Sequence, residues 1–337
     1  MTDATGRDAP GPLARFLIDG DTPMGWTDVA ITVTAIAVPA IVAVLIFGPV
    51  GAAAFVAAMP AHIGARDRGV TVGFLAVSVT GLAGLLCLAA PDLSPIIGAM
   101  LGLMTAAAGR YGYARPCVAA LITWCVFTSP ILPPDPGAVL PIFLSGMLFS
   151  LAVTALTGRA GDVGEGGSDE APEAREHALI FGALLATGLG LSVWIGQRYF
   201  GQHGFWFPLT FVVLLMPPHG KLFLRTLQRT AGTLVGTAVA VGIAGMSDAL
   251  WVTIAAGAVA LPLAFRTKPL SYTTFTAFLT VVVLELLTLT TDIGQLAVER
   301  LGTMAAAGAM ALCLGLLAAG ILRVAAPKTF AAVAAGA

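Results

Sequence analysis

Charged residues are scarce in this chain: Asp, Glu, Lys and Arg make up 10% of it, against 58% hydrophobic residues. Soluble domains carry about 25% charged residues, so this composition excludes an ordinary soluble fold. The net charge of −1 also excludes the strongly basic face with which a protein binds nucleic acid. The composition is that of an integral membrane protein.

Signals for catalysis and for metal binding are missing as well. The chain has no Gly-x-Ser-x-Gly elbow, no His-Glu-x-x-His pair and no Gly-x-x-x-x-Gly-Lys loop, so we predict no enzymatic activity, cofactor or metal site. The four cysteines lie in apolar runs without a Cys-x-x-Cys pair and are interpreted as small packing residues. No cleavable signal peptide is expected, because the first ~25 residues are polar.

Long apolar runs dominate what remains. They predict an all-α, polytopic membrane protein with about 12 transmembrane helices. The predicted spans are residues 27–47, 49–63, 70–90, 94–109, 116–132, 137–157, 178–197, 203–218, 230–246, 249–265, 269–289 and 296–322.

Basic residues predict how these spans are oriented. With a cytoplasmic N-terminus, all of the 17 Lys and Arg residues except Arg198 and Arg300 fall in segments that face the cytoplasm. Basic residues resist translocation across the membrane. The asymmetry therefore predicts a multi-pass protein with both termini in the cytoplasm.

Short motifs indicate that the two halves of the chain are copies. Met59-Pro60-Ala61-His62 matches Met216-Pro217-Pro218-His219, and Asp135 with Gly137 matches Asp292 with Gly294. Two further matches keep the same order, as expected for an internal duplication. Because each copy has six spans, the copies share one orientation, which predicts a pseudo-twofold axis along the membrane normal.

A polar stretch from Arg159 to His177 separates the two halves. It is rich in Gly and acidic residues and cannot bury a core, so we expect a flexible linker. The predicted parts are a cytoplasmic N-terminal segment (1–26), a first six-span repeat (27–157), an acidic cytoplasmic linker (158–177), a second six-span repeat (178–325) and a cytoplasmic tail (326–337).

The second and eighth spans are short, and both end in the Met-Pro-x-His element. The eighth also contains Pro208. Short, proline-interrupted spans at matching places in two repeats favour a central site, because broken helices expose backbone groups that need a wet cavity or protein around them. The alternative is a pair of tilted helices that simply end at prolines.

Several segments of the second half resemble the fusaric acid resistance protein-like (FUSC) superfamily. The run from His203 to Thr210, HGFWFPLT, resembles the short aromatic span of that superfamily. The segment from Arg229 to Thr237, RTAGTLVGT, resembles its Arg-x-x-Gly-Thr-x-x-Gly element, and Arg300 with Thr303 resembles its later Arg-x-x-Thr. The two six-span halves also resemble the duplicated membrane unit of the family.

The resemblance implies a transport function and a location. Related groups are bacterial aromatic acid exporters and plant malate-type anion channels, so an inner-membrane location is implied. Larger members carry a sizeable cytosolic domain, whereas this chain has only the short linker at that place. Short members of this kind work with a periplasmic adaptor protein, which is therefore the implied protein partner.

Glu285 is the candidate proton carrier. A charged group at the centre of a span costs about 2.5–3.5 kcal/mol on insertion scales, so this carboxyl group should face the interior of the bundle. It is alternatively a structural carboxyl group that binds neighbouring threonines or reaches water.

Arg300, on the outer side, is the candidate group for binding a substrate carboxylate, which a guanidinium holds through two parallel hydrogen bonds. Arg229, at the inner mouth, is the candidate for attracting anions that enter from the cytosol. Arg300 alternatively pairs with Asp292 or Glu299, and both arginines alternatively anchor the protein at lipid headgroups.

The remaining candidates lie in the aromatic span and in the helix after it. Phe205, Trp206 and neighbouring Phe207 stack on an aromatic substrate or form an interfacial aromatic belt. His203 and Pro208 belong to the same candidate pathway, although a histidine at a membrane edge is commonly only a polar surface group. Gly232 and Gly236 form a small-residue stripe that lets another helix approach closely.

The leading hypothesis is an exporter of small amphipathic or aromatic carboxylates, with proton coupling through Glu285. A passive anion channel on the same fold is the first alternative. A non-transporting membrane subunit that assembles with a periplasmic adaptor is the second. The expected surroundings are a lipid bilayer and an anionic or aromatic small molecule, without nucleic acid, and homo-oligomerisation is left open.

Overall fold

A computed structural model describes residues 22–161, 175–215, 221–247, 249–288 and 292–335. These residues form helices and no β-strand, as predicted. The helices are α1 (Trp26–Phe47), α2 (Ala52–Arg68), α3 (Val70–Ala89), α4 (Ser94–Gly109), α5 (Ala114–Trp124), α6 (Pro136–Leu156), α7 (Arg175–Tyr199), α8 (Trp206–Leu214), α9 (Leu222–Met246), α10 (Leu250–Thr267), α11 (Tyr272–Leu287), α12 (Ile293–Ala325) and α13 (Pro327–Ala335).

Eight helical stretches of the described chain are long and apolar enough to cross a bilayer. The protein is therefore a multi-pass membrane protein. Each of the twelve predicted spans overlaps one of the helices α1–α12. The stretch Trp26–Arg68 contains both α1 and α2, and α5, α8 and α11 are too short for the length criterion. These two facts account for the difference between eight and twelve.

Aspartate caps begin the last helix of each predicted half. The Asp135 carboxylate accepts hydrogen bonds from the backbone N–H groups of Gly137 (2.9 Å) and Ala138 (3.3 Å) at the start of α6. The Asp292 carboxylate accepts from Gln295 N–H at 3.1 Å at the start of α12. Such caps satisfy backbone donors that a helix leaves unpaired. The two matched aspartates thus have the same local role.

Some predicted boundaries differ from the structure. Helix α7 begins at Arg175, inside the predicted linker, one turn before its buried residues Ala178 and Phe181. Helix α13 lies in the predicted tail. Residues 162–174 of the linker and the second Met-Pro-x-His element, with His219, lie outside the described residues.

The chain divides into two compact units. The small unit comprises Met1–Ala30 and Leu224–Leu301, and the large unit comprises Ile31–Phe223 and Gly302–Ala337. This division follows contacts in space and does not coincide with the two halves predicted from the sequence. The features below are described within one unit or the other.

The large unit has a continuous apolar core. Trp124, Met147 and Phe211 are among its fully buried side chains. Glycines bring helix backbones together: a Cβ atom added to Gly64 on α2 would lie 2.9 Å from Cα of Gly73 on α3. In a bilayer, such close contact stabilises helix pairs by dispersion, because lipid removes the hydrophobic driving force.

The small unit holds the segment before α1 against the end of α10. The Met24 N–H donates to the carbonyl of Arg266 (2.9 Å), and Nη1 of Arg266 donates to the carbonyl of Met24 (2.8 Å). The Arg266 guanidinium also lies 4.4 Å from the centre of the Trp26 ring, a favourable cation–π distance. Arg266 therefore has a structural role.

Candidate anion-binding site

Helix α9 buries an arginine in the small unit. Arg229 is only 3% exposed, and its Nη1 donates a long hydrogen bond of 3.4 Å to the hydroxyl of Tyr272 on α11. Among the described residues, its Nε has no hydrogen-bond partner and its guanidinium forms no ion pair. A buried charge without a counter-charge costs several kcal/mol. The Arg229 guanidinium is therefore a candidate to bind an anion.

A second arginine lies in the same region. Arg300 on α12 is 6% exposed and lies close enough to Arg229 and Tyr272 to interact electrostatically with both. The sequence analysis placed Arg229 at the inner mouth and Arg300 on the outer side, whereas the structure brings them together. Two guanidinium groups at low dielectric create a strongly positive potential for a carboxylate.

Aromatic rings and further cations surround Tyr272. Its ring centre lies 6.2 Å from that of Phe275, and the guanidinium of Arg225 lies 6.0 Å above it. The Lys268 ammonium lies 6.0 Å from the Phe275 ring. Sequence reasoning missed Tyr272. The available signal was its place at the start of α11, just after the Lys268-Pro269 pair.

Glycines set the spacing between α9 and α11. A Cβ atom added to Gly232 would lie 2.8 Å from Cβ of Thr276 and would meet the backbone carbonyl of Thr273. At Gly236 an added Cβ would lie 2.8 Å from Cβ of Thr280. Both glycines therefore lie in the helix contact for which the sequence proposed them. The close approach places α11 beside the face of α9 that carries Arg229.

Glu285 is buried near the far end of α11. Its side chain is 2% exposed, so it faces protein, as expected of a carboxyl group in a span. Thr253 on α10 lies within hydrogen-bonding reach, while Oε1 has no partner among the residues that the structure describes. Glu285 follows Tyr272 by 13 positions, roughly 20 Å along a helix. It is therefore distant from Tyr272, the hydrogen-bond partner of Arg229.

The aromatic span belongs to the large unit. His203, Phe205, Trp206 and Pro208 are all buried, and the His203 ring stacks on Trp206 with centres 4.9 Å apart. An interfacial aromatic belt exposes its rings to the headgroup region. The burial of these rings favours core packing, in which His203 is a packed residue and not a surface group.

His62 is a buried histidine whose role the sequence analysis did not consider. Its Nδ1 lies 2.8 Å from Oγ1 of Thr154, and its Nε2 lies 3.1 Å from Oγ1 of Thr32. The Thr154 hydroxyl donates to the carbonyl of Ser150 (2.7 Å), so it accepts from Nδ1–H of His62. This network joins α1, α2 and α6. The first Met-Pro-x-His element was the signal for it.

Together, the spans and the buried cations describe a membrane protein with two buried arginines in its small unit. The family model of fusaric acid resistance protein-like proteins matches residues 189–314, a region that contains Arg229, Gly232, Gly236, Glu285 and Arg300. This part of the chain is similar to that family, which confirms the resemblance seen in the sequence. Members are membrane transporters and not enzymes. Neither the curated proteins nor the solved structures contain a match to the chain.

Proposed function

We propose that the protein exports small amphipathic or aromatic carboxylates across a bacterial inner membrane. The observation that carries this proposal is the buried guanidinium of Arg229, whose hydrogen-bond partner in the described chain is the Tyr272 hydroxyl. A carboxylate supplies both the opposite charge and a planar pair of acceptors. The rings of Tyr272 and Phe275 offer an aromatic substrate two surfaces for stacking.

Efflux from proteoliposomes tests the proposal directly. Vesicles that contain the purified chain alone are loaded with benzoate or with benzamide, which has a similar shape but no charge. We expect benzoate to leave these vesicles faster than it leaves protein-free vesicles, whereas benzamide efflux should be equal in both. A proton gradient should accelerate the benzoate efflux further. Benzoate flux that ignores the gradient would indicate a passive anion channel. The absence of flux would favour a subunit that needs its periplasmic adaptor.

We further propose that α1–α6 and α7–α12 are two six-helix repeats, with both termini in the cytoplasm. The matching aspartate caps of α6 and α12 support this arrangement. Reporters fused after Asp135 should then indicate a periplasmic location, and reporters fused after Arg66 or Lys268 should indicate a cytoplasmic location. A cytoplasmic signal at Asp135 together with a periplasmic signal at Lys268 would contradict this topology.

Glu285 is our proposed proton carrier, since its buried carboxyl group has an oxygen without a partner in the described chain. Glu285→Gln keeps the shape and removes the titrating group, so gradient-driven benzoate efflux should fall about tenfold or more. Benzoate exchange without a gradient should persist, because Glu285 lies 13 positions along α11 from Tyr272, which contacts Arg229. Thr253→Val is the matched control, as it alters the neighbour of Glu285 but leaves its proton. If Glu285→Gln exported benzoate at the wild-type gradient-driven rate between pH 5 and 8, this role would be excluded.

A further inference from the structure

Four buried threonine hydroxyls lie beside the arginine pair in the small unit. They belong to Thr233 and Thr237 on α9 and to Thr273 and Thr276 on α11, and none of these residues is more than 7% exposed. Within the described chain, none of the four hydroxyls has a hydrogen-bond partner. Buried polar atoms nearly always have one. Four exceptions on two adjoining helices therefore require an explanation.

Other buried or partly buried threonines of the protein form the usual hydrogen bond from the hydroxyl to the backbone. A helical threonine hydroxyl ordinarily donates to a carbonyl three or four residues earlier. Thr280 donates in this way to Thr276 (2.8 Å), and Thr230 donates to Thr226 (2.8 Å). The four hydroxyls make no such bond, although their neighbours on the same helices do. Their positions suit contacts with water or a polar ligand.

The four hydroxyls extend the polar surface that begins at Arg229. Thr233 and Thr237 follow Arg229 by four and eight positions, so they lie on nearly the same face of α9, over roughly 12 Å. Thr273 and Thr276 adjoin Gly232, one of two glycines at which α11 approaches α9 closely. A row of hydroxyl groups therefore leads along α9, away from Arg229.

We propose that these hydroxyls line a hydrated path along α9 by which the carboxylate leaves Arg229. The inference rests on the proposed transport of carboxylates and identifies the path from the same site. A hydroxyl donates to a carboxylate and also accepts from water. It binds an anion less strongly than a guanidinium does, and conduction requires sites that release the ion as well as bind it.

Valine substitutions separate a hydrated path from a dry contact. Thr233→Val and Thr237→Val replace a hydroxyl by a methyl group of similar size. If the path is hydrated, benzoate efflux should fall roughly fivefold for each variant, with the Kd for benzoate nearly unchanged. Thr233→Ser should restore efflux. Thr280→Val is the control, because its hydroxyl already bonds to the backbone, and its efflux should stay near the wild-type rate.

Thiol labelling provides a measurement that does not depend on transport. In a background with the four native cysteines replaced by alanine, Thr237→Cys should react with a membrane-impermeant methanethiosulfonate reagent. Cysteine at Val239, which is exposed on the same helix, should not react, because it faces lipid. Benzoate should slow the labelling of Thr237→Cys.

The outcomes distinguish this inference from the proposed function. One set of results would overturn the path alone: Arg229→Gln loses benzoate efflux, while Thr233→Val and Thr237→Val keep wild-type efflux and have an increased Tm. The increased Tm would show a dry contact, because a buried hydroxyl without a partner only destabilises the protein. An unreactive Thr237→Cys would overturn it as well. If the wild-type protein neither binds nor transports benzoate, the proposed function itself fails, while labelling at Thr237 still reports whether the path is wet.

Discussion

Arg229→Gln is expected to raise the Kd for benzoate roughly 100-fold, because truncating one partner of a buried charge pair costs 2–5 kcal/mol. Glutamine fills much of the same space and still donates hydrogen bonds, but it lacks the charge that a carboxylate requires. Calorimetric titration of the purified protein with benzoate measures the change directly. Arg229→Lys should retain part of the affinity, since lysine keeps the charge but loses the planar pair of donors.

Thermal stability separates a binding role of Arg229 from a structural one. In the described chain Arg229 has no ion pair, so removing its charge removes a desolvation cost, and the Tm of ligand-free Arg229→Gln should not decrease. Arg323→Gln is the control, because Arg323 is an exposed arginine of α12, and it should leave both Kd and Tm unchanged. A large loss of Tm with an unchanged benzoate Kd would show that Arg229 serves the fold instead.

Gly236→Ala is expected to destabilise the protein by about 1–3 kcal/mol, the usual cost of overpacking a close contact. An added Cβ would meet the backbone carbonyl of Ala277 and lie 2.8 Å from Cβ of Thr280. Neither a backbone carbonyl nor a branched Cβ moves without shifting α11 as a whole. Fluorescence-monitored thermal unfolding in detergent should therefore show a lower Tm.

The same substitution on the same helix provides the control for Gly236→Ala. An added Cβ at Gly242 meets no atom within 4 Å, so Gly242→Ala should be neutral or stabilise the protein by about 0.4–1 kcal/mol through the reduced entropy of the unfolded chain. Equal losses of Tm in both variants would contradict a specific effect of the contact between α9 and α11, because Gly→Ala in a helix is otherwise stabilising.

The two predicted repeats are not equivalent in chemistry. Helix α3, which corresponds in order to α9, contains no charged residue, whereas α9 carries Arg225 and Arg229. Among the described residues, the buried charged side chains are Arg229, Glu285 and Arg300, and all three lie in the second predicted repeat. If the halves arose by duplication, the proposed anion site developed in one copy.

Local patterns predicted the class of the protein and most helix positions. Hydropathy and the distribution of basic residues depend on which residues are neighbours along the chain, and so do the caps at Asp135 and Asp292. The resemblance to the fusaric acid resistance protein-like family was likewise readable from short motifs, such as the segment that begins at Arg229 and contains Gly232 and Gly236. Helix ends at Arg175 and in the C-terminal tail were less predictable, because helices extend beyond their buried residues.

The aromatic span shows why one pattern allowed two interpretations. Rings that stack on an aromatic substrate and rings at a membrane interface come from the same residue types, so Phe205 and Trp206 were compatible with both. Both side chains lie in the core of the large unit, which argues against the interfacial belt. His203 became a stacking partner of Trp206 for the same reason.

By itself, the sequence determined that this is an all-α multi-pass membrane protein, because the hydrophobic length of a span is a local property of the chain. Only the tertiary structure decided that Arg229 and Arg300, 71 positions apart, share one buried region with Tyr272. It also decided which threonine hydroxyls lack partners. These features depend on how helices distant in sequence pack together, and close approach at Gly232 and Gly236 is the physical cause on α9 and α11.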